Sequence, residues 1–163
     1  MRYVFLSIIL VVISATQLTY AQEAIFLIRH AEQMHDVEDP PLTEDGFGRA
    51  KTWATVFRDT GINKIYTSKK NRTKQTGETI AQELNISSQQ VSRRDIDGLV
   101  NLIRKEHADD IVLIVTHSKI LPKLLEAFVP FGEYPTIKPD DYDNLFIIVP
   151  KGKAKPTVMR LRY

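Results

Sequence analysis

Ala24-Ile25-Phe26-Leu27-Ile28-Arg29-His30 is an apolar run that ends directly in an arginine and a histidine. A short, continuous apolar run of this kind is typical of a strand covered on both faces of a parallel sheet. The residues from Ile111 to Val115 form a second such run, rich in β-branched side chains, and Thr116 and His117 follow it. Because ligands bind beyond the carboxyl ends of parallel strands, both histidines are expected at one ligand-binding edge.

Strand and helix patterns alternate along the rest of the chain. Further strands are predicted over Lys64–Thr67, Asn144–Val149 and Thr157–Leu161, the last two forming a hairpin around Lys151-Gly152. Apolar residues recur at helical spacing from Ala50 until Gly61, over Thr73–Leu84, around Leu99–Ile103 and from Ile120 to Phe128. The alternation predicts an α/β fold, namely a three-layer α/β/α sandwich with a mainly parallel sheet.

The composition is that of an ordinary globular protein. The chain has 163 residues, of which 26% are charged and 43% hydrophobic, so one domain is expected. The formal net charge of +2 is too small to argue for a nucleic-acid partner. The absence of cysteine excludes disulfides, thiolate metal sites, a cysteine nucleophile and a lipid-modified N-terminal cysteine.

The N-terminal residues follow the pattern of an export signal. Met1-Arg2 is positively charged, Tyr3–Ile13 is almost entirely apolar, and Thr19-Tyr20-Ala21 fits a cleavage site. The apolar run is shorter than the roughly 20 residues that a membrane span needs. We therefore predict a signal peptide over residues 1–21, a mature domain over residues 22–163, a periplasmic or secreted location, and no stable membrane span after cleavage. An uncleaved anchor and a buried strand or helix remain as alternatives.

Two arginines are predicted close to the two histidines. Arg29 precedes His30, and Arg72 comes shortly after the predicted strand Lys64–Thr67 and the Ser68 that follows it. Guanidinium groups present forked donors that match phosphate oxygens, and a neutral imidazole can act as a nucleophile. Backbone amides at the start of the helix after Ser118 would add donors for an anion. The residue types therefore indicate a phosphate site.

Several motifs resemble those of one enzyme superfamily. Ile28-Arg29-His30-Ala31-Glu32 resembles the Arg-His-Gly-Glu signature of the histidine phosphatase (phosphoglycerate mutase-like) superfamily, and Leu42-Thr43-Glu44-Asp45-Gly46 its Leu-Thr-Glu-x-Gly segment. The stretch from Tyr66 to Thr76 is similar to the element that carries its second arginine, and Val115-Thr116-His117-Ser118 to the element with its second histidine. Asp141–Phe146 resembles small exported members.

The resemblance implies a phosphatase with the fold described above. His30 would be the nucleophile that is transiently phosphorylated, and Arg29, Arg72, His117 and Ser118 would bind the phosphoryl group. The substrate would be a small phosphorylated molecule, a phosphate group of the cell envelope or a phosphohistidine on a protein, and neither a metal nor another cofactor is implied. Ala31 and Thr116 stand where the family usually has glycine, and Ala31 is expected to narrow the space behind the nucleophile.

The proton donor does not follow from the resemblance. Longer members carry a glutamate in an insertion before the second histidine strand, whereas the corresponding stretch here is short and offers Asp95, Asp97 and Glu106. We predict Asp95, because the segment from Val91 to Asp97 leads back toward the sheet.

Other functions are compatible with parts of the pattern. A phosphomutase and a relative that binds a phosphorylated ligand without turnover would use the same fold, and a structural domain would use neither histidine. A zinc site built from the four histidines is disfavoured, because no pair has the i, i+4 spacing of helical zinc ligands.

Overall fold

The computed structural model describes residues 24–152 and 154–163, so the predicted signal peptide lies outside the described residues. Six strands are present there: β1 (Ala24–Arg29), β2 (Lys64–Ser68), β3 (Ser88–Val91), β4 (Ile111–Thr116), β5 (Asn144–Lys151) and β6 (Ala154–Arg162). Four helices lie between them: α1 (Glu44–Phe57), α2 (Asn71–Glu83), α3 (Ile96–Glu106) and α4 (Leu121–Phe128). None of these helices is long and apolar enough to cross a membrane.

The strands form one sheet in the order β3-β2-β4-β1-β5-β6. The first four are mutually parallel, while β5 runs antiparallel to β1 and pairs with β6 as the predicted hairpin. Strands β1 and β4 are central neighbours, and Arg29 lies opposite Thr116 in their register. The α/β class and the mainly parallel sheet are therefore confirmed.

Alternate residues of the central strands face two separate apolar layers. Val112 and Ile114 of β4 pack into the cluster that contains residues of α3 and α4, whereas Leu113 and Val115 pack into the cluster that contains Trp53 of α1. Since side chains alternate across a strand, a continuous apolar run is what a strand covered on both faces requires. The three-layer arrangement follows directly.

The structure differs from the predictions at several element boundaries and in one additional strand. Helix α1 ends at Phe57 and not at Gly61, because the amide and hydroxyl of Thr60 both donate to the Phe57 carbonyl, at 3.1 and 2.7 Å. Helix α4 begins at Leu121, three residues after Ser118. Strand β3 was not predicted, because Ser88–Val91 is a short, partly exposed edge strand of mostly polar residues without an apolar run.

The first residues of α1 and its N-cap form hydrogen bonds and close contacts with the residues just after His30. The Thr43 hydroxyl caps the helix by accepting from the Gly46 amide at 3.1 Å, and the Thr43 amide donates to the Glu32 carbonyl at 3.0 Å. Gly46 lies so close to the Glu32 backbone that a Cβ atom at position 46 would overlap the Glu32 carbonyl oxygen. The glycine of the Leu-Thr-Glu-Asp-Gly motif is thus required by close backbone approach.

Replacing Gly46 by alanine should lower the free energy of unfolding by about 1–3 kcal/mol, the cost of overpacking a close contact. Gly48 is a matched control, because it lies in the same helix and a Cβ atom there meets nothing within 4 Å. Gly48→Ala should raise stability by about 0.5–1 kcal/mol through helix propensity. Urea unfolding of both variants measures the difference, and equal effects would contradict the role assigned to Gly46.

Candidate active site

His30 and His117 lie side by side at the carboxyl edge of the sheet. Each follows the last residue of its strand, and the His30 amide donates to the Thr116 carbonyl at 2.9 Å. Their ring centroids are 5.4 Å apart, and the residues are only 3% and 7% exposed. The convergence predicted from the two apolar runs is therefore present in the structure.

One ring nitrogen of His30 is fixed by the backbone. Its Nδ1 lies 2.8 Å from the Ala31 carbonyl oxygen, an acceptor, so Nδ1 carries the proton and Nε2 keeps a lone pair. The Ala31 amide donates to Oγ1 of Thr76 at 3.1 Å. Ala31 is fully buried and does not have a positive φ, so alanine fits this position without backbone strain.

The ring of His117 contacts Ser68, a residue to which the sequence patterns gave no role in the site. Ser68 Oγ lies 3.0 Å from His117 Nε2 and 2.6 Å from Thr73 Oγ1. Ser68 and Thr73 are both buried. The two hydroxyls fix the orientation of the His117 ring from the strand β2 and the first turn of α2.

Arg29 is positioned by the loop that precedes β5. One of its terminal nitrogens, Nη1, lies 3.2, 2.7 and 3.3 Å from the carbonyl oxygens of Lys138, Pro139 and Asp141. Its guanidinium carbon lies 4.0 Å from the ring centroid of Tyr142. Its Nε–H is buried and has no hydrogen-bond acceptor among the described residues. A donor that is already charged, oriented and unsatisfied is suited to a ligand oxygen.

Arg72 is held in a similar way by an aspartate. Its Nη1 lies 3.8 Å from Oδ1 of Asp39, whose carboxylate also accepts from the Asn71 amide at 3.3 Å. The Nε–H of Arg72 is also buried without an acceptor in the described part of the chain. Asp39 has a positive φ of 49°. Sequence reasoning missed Asp39 and Tyr142 as residues that orient the two arginines.

Both histidines are neutral at physiological pH. Burial lowers the pKa of His30 to about 3, and the charges of Arg29 and Arg72 act in the same direction. Burial, followed by the charge of Arg72, lowers the pKa of His117 to about 4. A buried, neutral imidazole beside two guanidinium groups is a nucleophile that needs no deprotonation before it attacks an anion.

Comparison with known proteins agrees with this geometry. Residues 25–94, which include His30 and both arginines, match the family model "Histidine phosphatase superfamily (branch 1)". A structure of the protein histidine phosphatase SixA complexed with tungstate has the same fold, with a TM-score of 0.73. It is 17% identical over 85% of this chain and 96% of that one.

Residues 25–94 are therefore similar to the histidine phosphatase superfamily, and the described residues share the fold of SixA. Two mycobacterial structures also share the fold of this chain, each with a TM-score of 0.67. A glucosyl-3-phosphoglycerate phosphatase is 12% identical over 86% of this chain and 98% of its own. A protein described as mycobacterial hydrolase 1 is 13% identical over 84% and 96%. No curated protein sequence matches the chain.

Ser118 lies at the beginning of the turn that leads from His117 into α4. It is half-buried, and the amides of Ile120 and Leu121 both donate to the His117 carbonyl at 2.9 Å. Those two amides already have an acceptor, which reduces the number of donors that the helix start offers to an anion. The role of Ser118 in phosphate binding stays a prediction.

Asp95 is the N-cap residue of α3. Its Oδ1 accepts from the Gly98 amide at 2.9 Å, and the side chain is exposed. Asp95, Ser68 and Thr116 line one small cavity, but His30, His117, Arg29 and Arg72 do not line it. The role of Asp95 as proton donor stays a prediction.

The four histidines do not gather into a metal site. Among the described residues, no group of three or more histidine, aspartate or glutamate side chains could hold a metal ion. His35 is exposed. His107 is half-buried, and its ring nitrogens lie 2.6 Å from Tyr66 OH and 2.7 Å from Asp110 Oδ2.

The protein should lose stability as the pH falls from about 6.5 to 4.5. The pKa values of His30 and His117 lie below the ordinary value of 6.5, so the unfolded chain binds more protons in this window. Each histidine then contributes a slope of up to about 1.4 kcal/mol per pH unit, with full stability above pH 6.5. Asp110 and Asp143, whose pKa values are lowered by hydrogen bonds from His107 and Arg162, titrate below the window.

Urea unfolding at several pH values measures this slope. The double variant His30→Asn/His117→Asn should lose most of it, whereas His35→Gln should retain it because His35 is exposed. A slope that survives in the double variant would show that other groups cause it.

Proposed function

We propose that this protein is a metal-independent phosphatase that hydrolyses phosphate monoesters through a phosphohistidine on His30. The observation that carries the proposal is the pairing of two neutral, buried histidines with two arginines whose Nε–H groups have no acceptor among the described residues. The superfamily match and the phosphatase descriptions of SixA and the mycobacterial glucosyl-3-phosphoglycerate enzyme support it.

The reaction has two steps. Nε2 of His30 attacks phosphorus with its lone pair, the bond from phosphorus to the ester oxygen breaks, and that oxygen takes a proton as it leaves. Water then attacks the phosphohistidine, and the bond from phosphorus to nitrogen breaks to release inorganic phosphate. Arg29, Arg72 and His117 stabilise the charge on the three equatorial oxygens in both steps. The Ala31 carbonyl keeps Nε2 unprotonated before the attack.

Hydrolysis of p-nitrophenyl phosphate by the purified chain tests the proposal. Activity should survive a chelator, because the pocket supplies its positive charge from side chains. Vanadate should inhibit, since it copies the five-coordinate geometry at phosphorus. Activity lost in chelator and restored by zinc or magnesium would indicate a metallophosphatase. Vanadate binding without any hydrolysis would indicate a relative that only holds phosphorylated ligands.

We also propose that the protein is exported and resembles the small exported members of the superfamily. The apolar run over Tyr3–Ile13 and the cleavage pattern at Thr19-Tyr20-Ala21 support this, and the substrates would then be small phosphorylated molecules or envelope phosphate groups. The intact mass of the protein purified from its native host should correspond to a chain that begins at Gln22. A full-length chain in the cytosolic fraction would contradict export.

A further inference from the structure

A positively charged pocket lies beside the phosphate site. Its cavity of about 300 Å³ is lined by four cationic side chains and one carboxylate, namely Lys69, Lys70, Arg93, Arg94 and Asp39. We propose that this basic pocket binds a second anionic group of the substrate, so that the preferred substrates are small phosphate monoesters bearing another phosphate or carboxylate. The inference rests on the proposed phosphatase function and names its substrate class.

The basic pocket and the phosphate site share a residue. Oδ1 of Asp39 lies 3.8 Å from Arg72 Nη1 and 3.6 Å from Lys70 Nζ, so these two nitrogens are at most 7.4 Å apart. The Lys70 amide donates to Ser68 Oγ at 3.2 Å, and that hydroxyl contacts His117. A molecule whose phosphate lies on Arg72 can therefore place a second anion in the pocket across a short spacer.

The pocket has more positive charge than the protein neutralises. Four cations and one carboxylate line the pocket. Of these four cations, only Lys70 forms an ion pair within 4 Å with another described residue. Arg93 and Arg94 are exposed at the end of β3. The charges of Arg93 and Lys70 also lower the pKa of His117, which indicates that their field reaches the reaction site. An anion in the pocket would relieve this repulsion.

The size of the pocket restricts the occupant. A volume of about 300 Å³ is at the lower end of small-molecule sites. It accommodates a phosphate or carboxylate with a short carbon chain. We therefore assign the pocket to the non-reacting end of a small bis-anionic metabolite.

Binding of two non-hydrolysable probes by the full chain tests this assignment. Calorimetric titration should give a Kd for butane-1,4-bisphosphonate that is about five- to tenfold lower than the Kd for butylphosphonate, the scale of two exposed charge contacts. The difference should shrink at high ionic strength. In the Arg93→Gln/Arg94→Gln variant the advantage should fall to less than twofold, while butylphosphonate binding stays within twofold of the original.

The matched control removes two exposed cations elsewhere. Lys51→Gln/Arg58→Gln changes the net charge equally, at exposed positions in and just after α1, and should preserve the bisphosphonate advantage. Equal affinity for the two probes, or equal losses in both double variants, would overturn the assignment. A preference for a phosphorylated protein or a long polyanion over the bisphosphonate would also overturn it.

Hydrolysis of p-nitrophenyl phosphate, measured in parallel, separates this inference from the proposed function. Probe binding requires no turnover, so the phosphatase proposal can fail while the bisphosphonate advantage stands. With activity present, KM for 1,4-butanediol bisphosphate should rise in Arg93→Gln/Arg94→Gln with kcat nearly unchanged, whereas KM for butyl phosphate should not. A change in kcat for both esters would instead indicate that the arginines act on the reaction site itself.

Discussion

His30→Ala should lower hydrolysis of p-nitrophenyl phosphate by at least about 10⁴-fold, the scale seen when an enzyme loses its nucleophile. Among the described residues, only His30 is a buried histidine whose Nδ1 is fixed by a carbonyl and whose neighbours include both Arg29 and His117. A brief reaction with a labelled phosphate ester, quenched in alkali, should leave acid-labile label on the peptide that contains His30. The alanine variant should take up none.

The control is His35→Ala, which removes an exposed histidine five residues along the chain. It should keep both the label and the activity. Thermal unfolding of His30→Ala should show one cooperative transition, which would exclude misfolding as the cause of inactivity. Label on a serine, or activity that survives in His30→Ala, would disprove the covalent mechanism.

The convergence of the two histidines could be predicted because it follows from sheet geometry. Two apolar runs covered on both faces must be strands of one mainly parallel sheet, and the residues after them meet at its carboxyl edge. The structure makes β1 and β4 neighbours, with Arg29 opposite Thr116. Arg72 follows from the same rule, since it comes four residues after the end of β2.

The residues that orient the arginines could not be predicted in this way. Arg29 is held by carbonyls of Lys138, Pro139 and Asp141, and backbone carbonyls leave no signature in a sequence. Asp39 reaches Arg72 from an irregular loop, so no periodicity marks it. Tyr142 lies within Asp141–Phe146, and the resemblance of this segment to small exported members of the superfamily was the one sequence signal that singled it out.

Strand β3 and the basic pocket also could not be predicted from the sequence. Edge strands need no apolar face on their exposed side, so the polar residues of Ser88–Val91 gave no strand pattern. The pocket combines Lys69 and Lys70, which precede α2, with Arg93 and Arg94, which follow β3. The parallel pairing of β2 with β3 brings these two charged segments together at the carboxyl edge. The basic pocket therefore depends on the order of the strands in the sheet, which the charged residues themselves do not indicate.

The proposed phosphatase should favour esters with good leaving groups, because no carboxylate forms a hydrogen bond or ion pair with His30 or His117 in the described residues. A well-placed general acid contributes about 10²–10⁴ in rate when an alkoxide departs. The value of kcat/KM for p-nitrophenyl phosphate should therefore exceed that for butyl phosphate by about this factor. A series of aryl and alkyl phosphates should show rates that fall steeply as the leaving-group pKa rises.

Asp95→Asn tests the predicted donor without disturbing the fold, because asparagine caps a helix as well as aspartate does. If Asp95 is the proton donor, its replacement should lower butyl phosphate turnover about tenfold and p-nitrophenyl phosphate turnover less than twofold, since nitrophenolate leaves without protonation. Asp97→Asn is the matched control in the same helix and should change neither rate. Equal effects of Asp95→Asn on both esters, or none, would assign the protonation to solvent. The His30 mechanism does not depend on that result, because attack on phosphorus requires only the neutral Nε2 that the Ala31 carbonyl maintains.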